Sequence, residues 1–77
     1  MIRLELAVNR AGPLIVSLYD VRGRLVRRVF DGYVDIGSHT VAWDGVNLDG
    51  ELASPGVYLC RVEAEGTTLS GKLVWNP

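Results

Sequence analysis

Cysteine, histidine and long apolar runs are all scarce in this sequence, and each scarcity excludes a class of protein. The single cysteine, Cys60, excludes an intrachain disulfide framework and a multi-cysteine metal site. The single histidine, His39, lacks the second ligand of a zinc motif. No apolar run reaches the ~18 residues of a membrane-spanning helix. No signal peptide precedes the first predicted strand, so we expect export to be directed by a segment outside this sequence or by the domain itself.

Charge of one sign is also lacking. Eight basic residues stand against nine acidic ones, which gives a formal net charge of −1. A chain this balanced has no electrostatic field that would mark it as a nucleic-acid or membrane-surface binder. We therefore expect protein partners, and neither nucleic acid nor a membrane span.

The length and composition predict one small folded domain over residues 1–77. Hydrophobic residues make up 48% of the 77 residues, which is enough for one compact core and argues against disorder. A chain of this size buries only about 60% of the surface that its unfolded form exposes. We therefore expect modest stability.

Apolar residues recur with a period of two, and no segment has a convincing helical period. The predicted strands are Ile2–Val8, Leu14–Tyr19, Arg24–Phe30, His39–Trp43, Val57–Ala64 and Thr67–Trp75, with a short extended piece at Glu51–Ala53. Breaks or turns are predicted at 11–13, 20–23, 32–37 and 65–66. Leu25, Val26 and Val29 cannot all share one face, which predicts a bulge in the third strand. Six or seven such strands predict an all-β sandwich or small barrel.

Several landmarks then occur in a familiar order. They are Val16-Ser17-Leu18-Tyr19-Asp20-Val21-Arg22-Gly23-Arg24-Leu25-Val26-Arg27, Gly37-Ser38-His39, Trp43-Asp44-Gly45, Gly50, Ser54-Pro55-Gly56-Val57-Tyr58 and Lys72-Leu73-Val74. This pattern resembles a bacterial family that comprises the immunoglobulin-like domain of the flagellar hook-capping protein and the C-terminal sorting domains of type IX-secreted proteins. The resemblance covers nearly the whole chain from Ile2 onward. It implies an immunoglobulin-like antiparallel β-sandwich of about seven strands.

The shared residues point to a fold more than to a site. The glycines stand where turns need a positive φ or a close backbone approach. The aspartates stand where a carboxylate can accept hydrogen bonds from local backbone amides. Two aromatic residues supply large apolar surface to a small core. The predicted turn and core residues are Asp20, Gly23, Gly37, Trp43, Asp44, Gly45, Gly50, Gly56 and Tyr58.

An acidic cluster raises a calcium hypothesis beside a structural one. Asp44, Asn47, Asp49 and Glu51 carry oxygen ligands within one segment. An EF-type loop needs ligands at alternate positions from its first aspartate, and the step from Asp44 to Asn47 breaks that register. Turn capping is the favoured interpretation, and an irregular calcium site is the alternative. No cofactor is predicted.

Catalysis is not indicated. Cys60 alternates with Tyr58 and Val62 on the presumed inner face, where a thiol behaves as a small hydrophobic group and not as a nucleophile. A catalytic triad built on His39 would need a serine or Cys60 alongside it, plus an orienting acid. No paired acids, phosphate loop or metal cluster is visible.

Two surface hypotheses remain open at this point. Arg22, Arg24, Arg27 and Arg28 could form a patch for an anionic partner such as lipopolysaccharide or an acidic glycan, or a solvated face in which Arg24 pairs with Asp20 or Asp44. Separately, outward Tyr19, Tyr33 and Trp75 could line a carbohydrate platform.

Three functions follow as expectations. The first, implied by the resemblance, is an accessory or sorting module of a secreted or cell-surface bacterial protein, recognised by type IX secretion machinery or by other domains of its parent. The second is a structural subunit that forms homo-oligomers through edge strands, with Ile2–Val8 as the candidate strand. The third is a glycan-binding module.

Overall fold

The computed structural model describes residues 1–76, which form six β-strands. The strands are β1 (Ile2–Val8), β2 (Gly12–Tyr19), β3 (Leu25–Val34), β4 (Gly37–Trp43), β5 (Gly56–Ala64) and β6 (Thr67–Trp75). The short extended piece expected at Glu51–Ala53 is an isolated bridge between Leu52 and Val46. None of the described residues forms a helix long and apolar enough to cross a membrane.

The strands form two antiparallel sheets that face each other. One sheet has two strands, in the order β1-β4, and the other has four, in the order β3-β2-β5-β6. Side chains from both sheets meet in one buried cluster, for example Val41 and Trp43 from β4 with Val16 and Leu18 from β2. The predicted all-β antiparallel sandwich is confirmed.

The alternation in β1 and β5 produces the faces that the sequence predicts. In β1, Ile2, Leu4, Leu6 and Val8 are half-buried, and the residues between them are exposed. In β5, Tyr58 and Cys60 are buried and Val62 is partly buried. A period of two turns every second side chain toward the facing sheet, so these strands display their core directly in sequence.

Two predicted breaks differ from the structure. The segment 32–37, predicted as a loop, is mostly strand, because β3 continues to Val34 and β4 begins at Gly37. The break predicted at 11–13 is present but lies at 9–11, since β1 ends at Val8 and β2 begins at Gly12 and includes Pro13. Pro13 is tolerated because β2 pairs there with β3 alone, and its pairing with β5 begins only at Leu14.

The predicted bulge in the third strand is present, and a second one accompanies it. The register of β3 against β2 shifts between Val16 and Ser17 and again between Leu18 and Tyr19. The shifts leave Val29 and Val26 without a directly opposite partner on β2. Each extra residue changes which face the following side chains occupy, so Val26 and Val29 can both pack against the core.

Candidate functional site

Asp20 organises the turn that joins β2 to β3. The backbone N–H groups of Arg22 and Arg24 donate to Asp20 Oδ1 at 2.9 and 3.0 Å, and Arg24 Nε donates to Asp20 Oδ2 at 3.0 Å. Gly23 closes the turn at φ 82°, with its N–H donating to the Asp20 carbonyl oxygen at 3.0 Å. These hydrogen bonds lower the pKa of Asp20, with the one from the Arg24 amide as the largest cause.

We expect Asp20→Asn to lower the free energy of unfolding at neutral pH and to lose this effect in acid. A lowered folded-state pKa means that the carboxylate stabilises the fold above its ordinary pKa of 3.8. That contribution is lost as the pH falls through the lowered value. Denaturant unfolding of both proteins across this range measures the difference. Asp49→Asn is the matched control, because no hydrogen bond to the Asp49 carboxylate occurs within residues 1–76. A difference that stays constant with pH would contradict the assignment.

Asp44 begins the long connection between β4 and β5. Its Oδ1 accepts the N–H of Val46 at 3.0 Å and Arg27 Nη1 at 3.3 Å, and the same Arg27 nitrogen donates to the Val46 carbonyl oxygen at 3.1 Å. Of the two partners predicted for Arg24, the structure shows Asp20. Asp44 pairs with Arg27 instead. Both side chains of this second pair are partly exposed, so the ion pair itself contributes about 0–1 kcal/mol.

Two of the four side chains in the calcium hypothesis, Asp44 and Asn47, accept hydrogen bonds from the backbone of their own segment. Asn47 Oδ1 accepts the N–H groups of Asp49 and Glu51 at 2.9 and 3.1 Å. Asp44 Oδ1 is shared between Val46 and Arg27. Within residues 1–76, no three His, Cys, Asp or Glu side chains lie close enough together to hold a metal ion. The geometry favours turn capping over a calcium site.

Three aromatic side chains hold the same connection from the inside. Trp43 lies between Tyr58 and Trp75, with ring centroids at 5.5 Å (edge-on) and 5.1 Å (tilted). Trp43 Nε1 donates to the Val46 carbonyl oxygen at 3.0 Å, and Trp75 Nε1 to that of Ala53 at 3.2 Å. The Tyr58 hydroxyl donates to the Ser54 carbonyl oxygen, much as the tyrosine corner of immunoglobulin-type sandwiches bonds to the upstream backbone. These partners satisfy the polar ends of buried aromatic residues and order a segment with little regular structure.

The prediction that Trp75 faces outward is wrong. Trp75 is 6% exposed, because β6 directs alternate residues to the core and Trp75 has the same parity as Leu73. Its ring packs against the backbone of Gly45, which has φ 82°. Tyr33 is 70% exposed and Tyr19 is half-buried, so the three rings do not form an exposed platform.

The other candidate residues lie in the core, in strands or in turns and contribute to the fold. Cys60 is buried on the inner face, and burial raises the pKa of its thiol, which disfavours the reactive thiolate. His39 Nε2 donates to the Asp35 carbonyl oxygen at 2.7 Å. The five glycines predicted at turns all have positive φ: Gly23, Gly37, Gly45, Gly50 and Gly56.

The predicted arginine patch is divided. Arg24 and Arg27 are engaged with Asp20 and Asp44. Arg22 and Arg28 are exposed and form no ion pair within the described part of the chain.

Sequence reasoning missed two surface features. One is an apolar patch on the outer face of the four-stranded sheet, formed by Val57, Leu59 and Val74. The other is an open groove between β1 and β6. The signal for the patch was present in the alternation of β5, where apolar Val57 and Leu59 occupy the outward positions. The groove had no local signal, because it lies between strands that are far apart in sequence.

Comparison with known proteins agrees with this architecture. A model of the FlgD Ig-like domain matches residues 3–68. The solved structure of FlgD from P. aeruginosa is similar with a TM-score of 0.68 and 26% sequence identity, over 88% of this chain and 54% of that chain. The similarity thus spans about half of that protein's length. No curated protein sequence matches. Since the family model covers most of the chain, the resemblance to the hook-capping domain is confirmed and the chain belongs to the family of FlgD immunoglobulin-like domains.

Proposed function

We propose that this chain is a non-catalytic protein-interaction domain of a larger bacterial protein that acts outside the cytoplasm. Its membership of a structural domain family supports this proposal. The structural roles of its polar side chains also support the proposal. Asp20, Asp44 and Asn47 hold turns, and the Cys60 thiol is buried. A domain whose reactive groups maintain the fold is suited to contact other molecules through its surface.

The observation that carries the proposal is the exposed apolar patch on the outer face of the four-stranded sheet. Val57, Leu59 and Val74 are 44%, 38% and 68% exposed. Val57 and Val74 lie directly opposite each other on β5 and β6, and Leu59 follows on the same face of β5. Charged Lys72 borders the patch opposite Leu59. A contiguous apolar patch with a polar rim is typical of a protein-binding surface.

The resemblance to type IX sorting domains adds a finer form of the proposal. In this form the partner is the secretion machinery, or another domain of the parent protein, and the parent protein is located at the cell surface. Within the predicted arginine patch, Arg22 and Arg28 are available to an acidic partner, since Arg24 and Arg27 are already paired. Arginine is well suited to bind carboxylates across such an interface.

The test uses the parent protein in its native cell. We expect deletion of this domain to block export or surface retention. The double variant Leu59→Glu/Val74→Lys should do the same while the purified domain keeps its fold, because it removes the apolar contact without changing net charge. Leu48→Glu is the matched control, since Leu48 is 63% exposed and lies in the β4–β5 connection. Normal export of the deletion variant would refute the proposal, and normal export of the double variant alone would exclude the patch as its surface.

A further inference from the structure

A largely apolar groove lies at one end of the sandwich, between the second half of β1 and the start of β6. Its volume is about 390 Å³, and its apolar lining includes Leu6, Val8, Leu14, Val62 and Leu69. Leu69 lies opposite Val62 in the register and therefore faces the inner side, yet it is 63% exposed. The cause is the unequal width of the sheets, since two strands cover only part of a four-stranded sheet. A strand beside β1 would complete the cover.

The backbone along this groove is open to such a strand. β1 pairs with β4 along one edge, from Ile2 to Val8, and no other described strand pairs with it. Its outer N–H and C=O groups therefore form a row that can bind an extended chain. The outer edge of β3 is less suitable, because two bulges interrupt its regularity.

The charges on β1 specify which strand would fit. Arg3 and Glu5 are its charged residues, and both stand on the exposed face. Directly opposite side chains of an antiparallel pair lie within contact distance, so opposite charges there stabilise the pair and like charges destabilise it. A fitting strand carries an acidic residue opposite Arg3 and a basic residue opposite Glu5. Its alternate residues must be apolar, because they face the groove.

We propose that the groove binds an extended segment of a partner protein, which adds to the outer edge of β1 as a further antiparallel strand. Its apolar side chains cover Leu69 and Val62, and its charged side chains meet Arg3 and Glu5. This site lies between the sheets, whereas the patch of the proposed function lies on the outer face of the four-stranded sheet. Either can therefore fail without the other.

The sequence of β1 itself provides a probe with the required chemistry. In an antiparallel pairing centred on Leu4, Glu5 of the probe lies opposite Arg3 of the protein, and Arg3 of the probe lies opposite Glu5. Ile2, Leu4 and Leu6 of the probe then face the inner side of the sandwich, and Ile2, which lies opposite Leu6, is level with the groove. A register shifted by two residues in either direction places Arg3 against Arg3 or Glu5 against Glu5, so the charges favour a single alignment.

The experiment titrates the 77-residue chain with an acetylated and amidated peptide of residues 1–8, followed by calorimetry and by hydrogen exchange of the β1 amides. We expect saturable binding that slows exchange along β1. Leu69→Lys should weaken the affinity about tenfold or more, because it places a charge in the apolar groove. This variant should still fold, since Leu69 is 63% exposed. Ser70→Lys is the matched control on the outer face of the same strand, and should bind like the unaltered chain.

A charge exchange tests the alignment. Arg3→Glu in the protein should weaken binding of the unaltered peptide several-fold, by placing two glutamates opposite each other. A peptide with Glu5→Arg should restore the affinity for that variant. Absence of binding, equal weakening by Leu69→Lys and Ser70→Lys, or failure of the charge exchange to restore affinity would overturn the proposal. Dimerisation of the chain that disappears in Leu69→Lys would also overturn it, because a second copy would then occupy the groove.

Discussion

Replacing Gly45 with alanine should lower the free energy of unfolding by about 3 kcal/mol, one of the two largest effects that we expect from a single substitution. Gly45 has φ 82°, in the left-handed region where a side chain costs about 1–2 kcal/mol. A Cβ at this position would also overlap three atoms of the Trp75 ring, the farthest of them at 2.9 Å. Forcing extra volume into a packed contact costs typically about 1–3 kcal/mol. Denaturant unfolding of the purified domain measures the sum.

Gly23→Ala separates the two contributions. Gly23 has the same φ of 82°, but nothing lies within 4 Å of a Cβ built there. This control should therefore show the conformational cost alone, about 1–2 kcal/mol. Equal losses in the two variants would mean that the Trp75 contact contributes nothing, and would contradict the close packing of Gly45. Relief of the Gly45→Ala defect by Trp75→Leu would support the contact directly.

Replacing Trp43 with alanine should be the most destabilising change, with a loss of about 3–5 kcal/mol. Trp43 is 1% exposed and is the largest side chain among the fully buried ones. It contacts Tyr58 and Trp75, and its Nε1–H binds the Val46 carbonyl oxygen. Its removal leaves a cavity between the sheets and takes away one of the two hydrogen bonds to the Val46 carbonyl oxygen, to which Arg27 Nη1 also donates. Because native domains are stable by only about 5–15 kcal/mol, we expect this loss to remove a large fraction of the total stability.

Circular dichroism and thermal unfolding can follow this loss, and two controls define its origin. Val21→Ala should change stability by less than about 0.5 kcal/mol, because Val21 is 73% exposed. Trp43→Phe keeps an aromatic ring but not the N–H donor, so its loss should be intermediate. A loss below about 1 kcal/mol for Trp43→Ala would show that the aromatic cluster does not organise the core.

These two substitutions act on the same connection between β4 and β5. Its backbone is held by Trp43 and Trp75 from within, and by Arg27 at its rim. Residues Asp44 and Asn47 add short-range turns. Trp43-Asp44-Gly45 therefore mark the position where an otherwise irregular segment is attached to the sandwich. Gly50 closes a turn within the segment, with its N–H donating to the Asn47 carbonyl oxygen.

Local chemistry in the sequence predicted much of the fold. The Asp20 to Gly23 turn needs only residues that are close in sequence, because the carboxylate bonds amides two and four positions ahead. The alternation of Tyr58, Cys60 and Val62 places them on one face whatever the rest of the chain does. The bulge in β3 was also predictable, since Leu25, Val26 and Val29 conflict with strict alternation.

The tertiary structure decided the features that depend on distant residues. Arg27 pairs with Asp44 across 17 positions, and its sequence neighbour Arg24 binds Asp20. Trp75 is buried because Gly45 leaves room for its ring. The position of Trp75 in the sequence gives no sign of this contact, because the two residues are 30 positions apart. The loop expected at 32–37 became strand because β2 extends to Gly12 and supplies partners for β3 up to Val34.

The surface features also separate into those that the sequence determines and those that depend on the tertiary structure. By itself, the sequence determined that the chain folds as a β-sandwich and that β1 alternates between apolar and charged residues, because a period of two is a property of each strand alone. Only the tertiary structure decided that β1 has an open edge beside Leu69 and that Val57, Leu59 and Val74 adjoin one another. Pairing order and sheet width join residues from separate strands, and no single strand encodes them.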